Sequence, residues 1–163
     1  MNTTTIERRP ILSLDFDGVL HSYRSGWKGA TVIPDPPVPG AIPFLLEAFP
    51  HFWITIFSSR SHRWGGRKAM RRWLKHHTWE YLRQLDRRQI SAAFEYLGLK
   101  TDPAYPLISN EDAALILVNS IKFPFFKPQA FVTLDDRAIQ FEGEFPSLDT
   151  LRNFKPWNRR ENP

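Results

Sequence analysis

The 163-residue chain contains no cysteine. Disulfide bonds, zinc–thiolate sites and cysteine nucleophiles are therefore excluded, and the composition suits the reducing cytoplasm, where we expect the protein to act. No apolar run approaches the ~18–20 residues that span a bilayer. The N-terminal segment 1–9 is polar and lacks the apolar core of a signal peptide. We expect this segment to be a flexible arm.

The chain has the composition of one folded domain. Hydrophobic residues make up 42% of it, too many for a disordered chain and enough for one core at this length. We therefore expect a single domain over 1–163, with 158–163 as a tail.

Acidic residues are scarce in the segment 60–88. The segment contains ten Lys and Arg residues but only two acidic residues, although the net charge of the whole chain is only +5. The segment also contains Trp64, Trp73 and Trp79. A basic segment with interleaved aromatic residues can bind a polyanion, which makes nucleic acid a candidate partner. The alternative is a solvated helix face with its tryptophans in the core.

Three apolar runs predict buried strands, and polar residues suited to chemistry follow each of them. Run 10–14 precedes Asp15-Phe16-Asp17-Gly18, run 52–57 precedes Ser58-Ser59-Arg60, and run 130–134 precedes Asp135-Asp136. Helical patterns between the runs indicate right-handed crossovers and a parallel sheet. The three polar groups should then meet at the carboxyl edge of that sheet, where such folds bind ligands.

The remaining pattern predicts several helices and a few minor elements. Helices are expected over 41–49, 66–77, 82–97 and 148–154 and from Ser109 to 118, a hairpin or flap over 21–33, an extended connector over 34–40, and short strands at 121–123 and 139–141.

These motifs resemble those of the haloacid dehalogenase (HAD) superfamily of phosphohydrolases. The matching pieces are DFDGVL at 15–20, the apolar run ending in Ser58, a lysine upstream of the last strand, and TLDD at 133–136. The series DFDGVLH, IFSSR and KPQAFVTLDDRAIQFEGEF is similar to that of small stand-alone HAD-like proteins of bacteria and their phages. The resemblance covers most of 10–157. It implies a three-layer Rossmann-like α/β sandwich, with a flap at 21–33 and no large cap domain.

The resemblance also implies a role for each of the motif residues. Asp15 would be the nucleophile that forms an aspartyl-phosphate, and Asp17 would be the general acid and base. A Mg²⁺ ion would be held within the set Asp15, the Phe16 carbonyl, Asp17, and Asp135 or Asp136.

Phosphate binding would fall to the second motif and to the first turn. Ser58 would donate its hydroxyl, with Ser59 as the alternative, and the amides of Asp17 and Gly18 would complete the cradle. Ser58 could equally cap a helix or turn. Arg60 could clamp phosphate or form a surface ion pair.

The family also needs a lysine at the site. Lys127 matches the pattern best and Lys122 is the alternative. Lys127 precedes Asp135 by eight residues, which in one extended strand would be roughly 25 Å. A bend at Pro128 would shorten that distance, and a solvated lysine is the other interpretation.

The function predicted from the motifs is a Mg²⁺-dependent phosphomonoesterase acting on nucleic-acid ends or nucleotides. One alternative is a phosphatase of small metabolites such as sugar phosphates. Another is a non-catalytic phosphate- or nucleic-acid-binding module, which four clustered carboxylates disfavour. A receiver-like phospho-acceptor is disfavoured by Asp17, because a positioned acid or base promotes turnover.

Overall fold

The computed structural model describes residues 9–98 and 109–160 and has an α/β fold, as predicted. Its elements in chain order are β1 (Ile11–Leu14), α1 (Ala41–Ala48), β2 (Trp53–Ile56), the 3₁₀ turn η1 (Ser59–His62), α2 (Gly66–Gln84), α3 (Arg87–Tyr96), α4 (Asn110–Ser120), β3 (Val132–Leu134), α5 (Leu148–Arg152) and the 3₁₀ turn η2 (Trp157–Arg159). Across 9–98 and 109–160, no helix combines the length and hydropathy needed to cross a membrane.

The three strands form one parallel sheet with β1 in the middle, in the order β2-β1-β3. Leu14 is in register with Ile56 on one side and with Leu134 on the other. The strands therefore end at the same level, and the residues after each of them emerge at one edge. The short strand expected at 121–123 is reduced to a single parallel bridge between Lys122 and Thr55, on the far side of β2.

Residues at this sheet edge belong to the hydrophobic core. Leu14, Phe16 and Ile56 have no solvent exposure, and burying a side chain of this kind stabilises the fold by roughly 1.5–3 kcal/mol. Helix α2 packs on α4, with Leu74 and Leu117 both fully buried. The polar residues that follow the strands therefore lie on loops that emerge from a well-packed core.

Several predicted boundaries differ from the structure. Helix α2 continues to Gln84, and α3 starts at Arg87 because Asp86 forms a capping box with Gln89. The segment 21–33 contains turns and forms no regular hairpin, and a single antiparallel bridge joins His21 to Pro37. The strand predicted at 139–141 is wrong, because the chain turns at 136–137, with the Arg137 amide donating to Asp135 Oδ1 (2.8 Å), and does not return alongside β3.

Candidate active site

A pocket of about 240 Å³ opens at the carboxyl edge of the sheet. We call it the site pocket. Five residues proposed from the sequence line it together with three others: Asp15, Asp17, Ser58, Ser59 and Asp135, joined by Tyr23, Phe57 and Arg137. The in-register ends of β1, β2 and β3 explain this convergence, because each strand delivers its next residues to the same place.

Three carboxylates form an acidic cluster at this pocket, two of which, Asp15 and Asp135, line it. One oxygen each of Asp15, Asp135 and Asp136 lies within 4.8 Å of the others. Both carboxylate oxygens of Asp136 are buried without a hydrogen-bond partner, and Arg137 Nε lies 3.9 Å from Asp136 Oδ2. A buried carboxylate without partners is costly. Such an oxygen-rich cluster fits a hard divalent cation.

The pKa values in the cluster also reflect the cost of burying these carboxylates close together. Burial, followed by the charges of Asp135, Asp17 and Asp136, raises the pKa of Asp15 to about 7, although the Phe16 amide acts in the opposite direction. Burial also raises the pKa of Asp136 against the opposing charge of Arg137. The protein itself therefore supplies too little positive charge for its carboxylates, which is the condition that a bound cation relieves.

Asp17 is held by two donors. Arg60 Nε lies 2.8 Å from one carboxylate oxygen and 3.1 Å from the other. His21 Nδ1 lies 2.8 Å from Oδ1, while His21 Nε2 accepts the Asp35 amide at 3.2 Å. Because an amide can only donate, Nε2 carries no proton, and in the neutral ring Nδ1–H donates to Asp17. The Asp17 carboxylate is thereby fixed in orientation at the pocket wall.

Arg60 is neither a phosphate clamp nor a surface residue, which corrects both sequence interpretations. Its side chain is fully buried and its Nη1 donates to the carbonyls of Gly29, Ala30 and Val32. The guanidinium also lies 4.7 Å from the ring centroid of Trp27. Arg60 therefore joins Asp17 to the 27–32 loop and has no open face toward the pocket.

The backbone of the first turn is occupied, so two further assignments were wrong. The Phe16 carbonyl, expected to bind a metal, accepts the amides of Leu20 (3.0 Å) and His21 (2.9 Å). The Gly18 amide, expected to bind phosphate, donates to the His21 carbonyl at 2.7 Å. Both groups close the turn that follows Asp15.

Gly18 serves the cluster in another way. It adopts φ +93°, and a Cβ there would overlap the Asp136 carboxylate. Its carbonyl accepts the indole N–H of Trp157 at 2.7 Å. Glycine thus lets the first turn lie directly against the acidic cluster, and η2 anchors that turn from the other end of the chain.

Ser58 has the capping role that the sequence left open. Its hydroxyl accepts the Arg60 amide at 3.3 Å, and Ser61 Oγ accepts the Ser58 amide at 3.1 Å, which forms a capping box at η1. Ser58 also lines the site pocket. Because a hydroxyl accepts and donates at once, its proton remains available to a ligand oxygen. Ser59 is exposed in the same pocket.

Neither candidate lysine lines the site pocket. Lys127 is exposed on the segment between Lys122 and β3, and Lys122 is exposed beside β2. The cation that does line the pocket is Arg137, whose guanidinium lies 5.8 Å from the ring centroid of Tyr23. Sequence reasoning missed both residues. Arg137 could have been found, since it directly follows Asp135-Asp136, whereas nothing in the sequence marks the left-handed backbone of Tyr23 (φ 55°).

The site therefore combines a carboxylate cluster suited to a divalent cation, the fixed carboxylate of Asp17, two serines and one arginine around a small pocket. Comparison of the chain with protein-family models, with curated proteins and with solved structures finds no match.

Proposed function

We propose that this protein is a Mg²⁺-dependent phosphomonoesterase that acts through an aspartyl-phosphate on Asp15. The observation that carries the proposal is the acidic cluster at the ends of β1 and β3, in which the buried Asp136 carboxylate has no hydrogen-bond partner and the pKa of Asp15 is raised. The proposal includes the finer fold expected from the resemblance, a three-layer HAD-like domain without a large cap, working in the cytoplasm. The motif order and the common edge of the three strands support it.

Asp15, Asp135 and Asp136 would hold the Mg²⁺ ion. When bound, the ion would neutralise these carboxylates and let an anionic nucleophile and an anionic phosphate approach each other. The carboxylate of Asp17 is engaged by Arg60 and His21, so we leave it out of the proposed metal ligands and propose that it transfers protons.

Asp15 and Asp17 would then carry out two successive displacements at phosphorus. The Asp15 Oδ1 atom accepts the Phe16 amide (2.7 Å), and Asp15 attacks as a carboxylate with Oδ2. The bond to the leaving oxygen breaks as the bond to Asp15 forms, and Asp17, which enters this step protonated, delivers its proton to the departing alkoxide. Water next attacks phosphorus while Asp17, now a carboxylate, takes a proton from it. The bond between phosphorus and Asp15 breaks, inorganic phosphate leaves, and the Asp15 carboxylate and protonated Asp17 are regenerated.

Two other side chains would steady the phosphoryl oxygens. The Ser58 hydroxyl can donate to one of them. Arg137, in place of the lysine predicted from the sequence, also lines the pocket and can supply positive charge there.

The test is hydrolysis of a small aryl phosphate in Mg²⁺. Asp15→Asn should lower kcat by at least about a thousandfold, since losing a nucleophile raises the barrier by several kcal/mol. The matched control Asp149→Asn, on the exposed helix α5, should behave like the parent. If Asp15→Asn keeps more than about a tenth of the parent kcat, Asp15 is not the nucleophile.

A further inference from the structure

A second and larger cleft adjoins the site pocket. It measures about 590 Å³, and we call it the basic cleft. It is lined by Ser61, His62, Arg63, Trp64, Gly65, Arg67, Lys68, Arg71, Phe123 and Phe125. The 3₁₀ turn η1 separates the two. On the pocket side the ring of Phe57 contacts His62 (centroids 5.5 Å apart), and His62 contacts Phe125 (5.0 Å). Lining residues of the site pocket and of the basic cleft are therefore in contact across η1.

The cleft exposes aromatic surface that the fold does not use. Trp64 is 95% exposed, and Phe126, beside the cleft, is 75% exposed. Other aromatic residues of the basic segment behave differently, since Trp73 is buried in the core and Trp79 is partly buried against Arg83. The core interpretation thus holds for Trp73, whereas Trp64 presents a flat indole to solvent at the cleft. An exposed aromatic surface of this kind marks a binding site.

The charge of the cleft has one sign. Arg63, Arg67, Lys68 and Arg71 line it, and none of its ten lining residues is acidic. Arg67 and Arg71 lie over the rings of Phe125 (5.6 Å) and Phe123 (5.1 Å), which holds their guanidinium groups along the cleft. Arg71 also donates to Asn119 Oδ1 at 3.4 Å. Lys75, on the same helix, does not line the cleft and pairs with Glu111 at 2.8 Å.

We propose that the basic cleft binds single-stranded nucleic acid whose terminal phosphate enters the site pocket. This inference rests on the proposed phosphatase function and names its substrate class. Bases would stack on Trp64, and the phosphates would lie along Arg67, Lys68 and Arg71, which is the combination that single-strand binders use. A small phosphate ester would fill the site pocket alone and would not reach Trp64.

Binding is measured by fluorescence anisotropy with a 5′-phosphorylated, 3′-fluorescein dT₁₂ strand in Mg²⁺, in an Asp15→Asn background that prevents turnover. Trp64→Ala should weaken binding by about tenfold or more, as expected for one lost stacking contact. The double variant Arg67→Glu/Arg71→Glu should also flatten the salt dependence, because two fewer phosphates are neutralised. The matched control Arg72→Glu lies on the same helix, exposed and outside the cleft, and should keep the salt slope of the parent.

Heparin, a polyanion without bases, tests stacking separately. It should compete with the strand equally well in the parent and in Trp64→Ala after correction for strand affinity. If Trp64→Ala binds dT₁₂ like the parent, or if Arg72→Glu weakens binding as much as Arg67→Glu/Arg71→Glu, the basic cleft is not a nucleic-acid site and the inference is overturned.

Turnover separates this inference from the phosphatase proposal. In the Asp15-containing protein, the cleft variants should lower the ratio of dT₁₂ dephosphorylation to aryl phosphate hydrolysis. Aryl phosphate hydrolysis with an unchanged ratio overturns the cleft and leaves the phosphatase standing. Trp64-dependent strand binding without hydrolysis of either compound overturns the phosphatase and supports the cleft as a binding site.

Discussion

Arg60 shows how one buried side chain can organise a site that it does not enter. Its Nε atom binds the Asp17 carboxylate and its Nη1 atom binds three loop carbonyls. Its Nη2 atom is buried without a partner. A guanidinium in this position is fixed because each lost contact would leave a buried polar group unsatisfied. It acts as a positioning residue for Asp17.

Substitution of either member of this ion pair should be strongly destabilising. Arg60→Met or Asp17→Asn alone leaves a buried polar partner uncompensated, so each should lower the free energy of unfolding by about 3 kcal/mol. In urea denaturation the double variant should lose clearly less than the sum of the two single losses. Strict additivity would show that the pair is not coupled. Arg72→Met, at an exposed position of α2, should change stability by less than about 0.5 kcal/mol.

At the scale of elements, the loop between β1 and α1 is fastened by a second carboxylate. Asp35 accepts the hydroxyl and the amide of Ser25, and its carbonyl accepts the indole N–H of Trp73 at 3.1 Å. Burial acts to raise the pKa of Asp35, but the Ser25 hydrogen bonds and the smaller electrostatic contributions of His21 and Arg24 together hold that pKa below its usual value. The loop is thus tied to α2 through backbone and side chain together.

The lowered pKa of Asp35 gives a pH dependence of known sign. Because the folded state favours the carboxylate, Asp35 stabilises the fold fully above its unfolded pKa of about 4, and this contribution is lost as the pH falls through the lower folded pKa. At pH 7, Asp35→Asn should lower the free energy of unfolding by about 1 kcal/mol. The difference from the parent should shrink below about pH 4. A difference that is constant from pH 7 to pH 3 would exclude this role, and Glu47→Gln, on an exposed face of α1, should show none.

The sequence predicted the strands well because their residues follow local rules. Short apolar runs followed by polar residues locate β1, β2 and β3 within one or two residues, and Ser109 and Ser147 mark the starts of α4 and α5. Parallel pairing then follows from the alternation with helices. The convergence of Asp15, Ser58 and Asp135 could therefore be predicted.

The features of the site that could not be predicted depend on contacts between residues far apart in the sequence. Arg60 meets the 29–32 carbonyls, and Trp157 meets Gly18 across 139 positions. No local pattern encodes either contact. The backbone assignments at Phe16 and Gly18 failed for a similar reason, because the turn after Asp15 consumes both groups internally. Lys127 matched a linear pattern, but the chain places Arg137 at the pocket instead.

At the scale of the whole molecule, the acidic cluster joins the end of β1 to the end of β3. Asp15 follows one strand, and Asp135 and Asp136 follow the other, so mutual repulsion of their charges opposes the closure of the sheet edge. The part of the chain after β3 is mostly exposed, and it has few apolar contacts with which to offset that repulsion. A cation shared by the three carboxylates would turn the repulsion into a crosslink between the two segments.

Thermal unfolding with and without Mg²⁺ should reveal this crosslink. In the parent, Mg²⁺ at about ten times its Kd should stabilise the folded state by about 1.4 kcal/mol, which for a chain of this size raises Tm by about 3–6 °C. Asp136→Asn should raise the Tm measured without Mg²⁺ and remove most of the increase in Tm that Mg²⁺ produces. Without the cation it should melt above the parent, because a buried carboxylate that lacks a hydrogen-bond partner and lies beside two other carboxylates is gone, and Mg²⁺ should then raise its Tm little or not at all. Asp149→Asn, outside the cluster, should respond to Mg²⁺ like the parent. If Asp136→Asn gains as much Tm from Mg²⁺ as the parent does, the ion binds elsewhere and the cluster does not hold it.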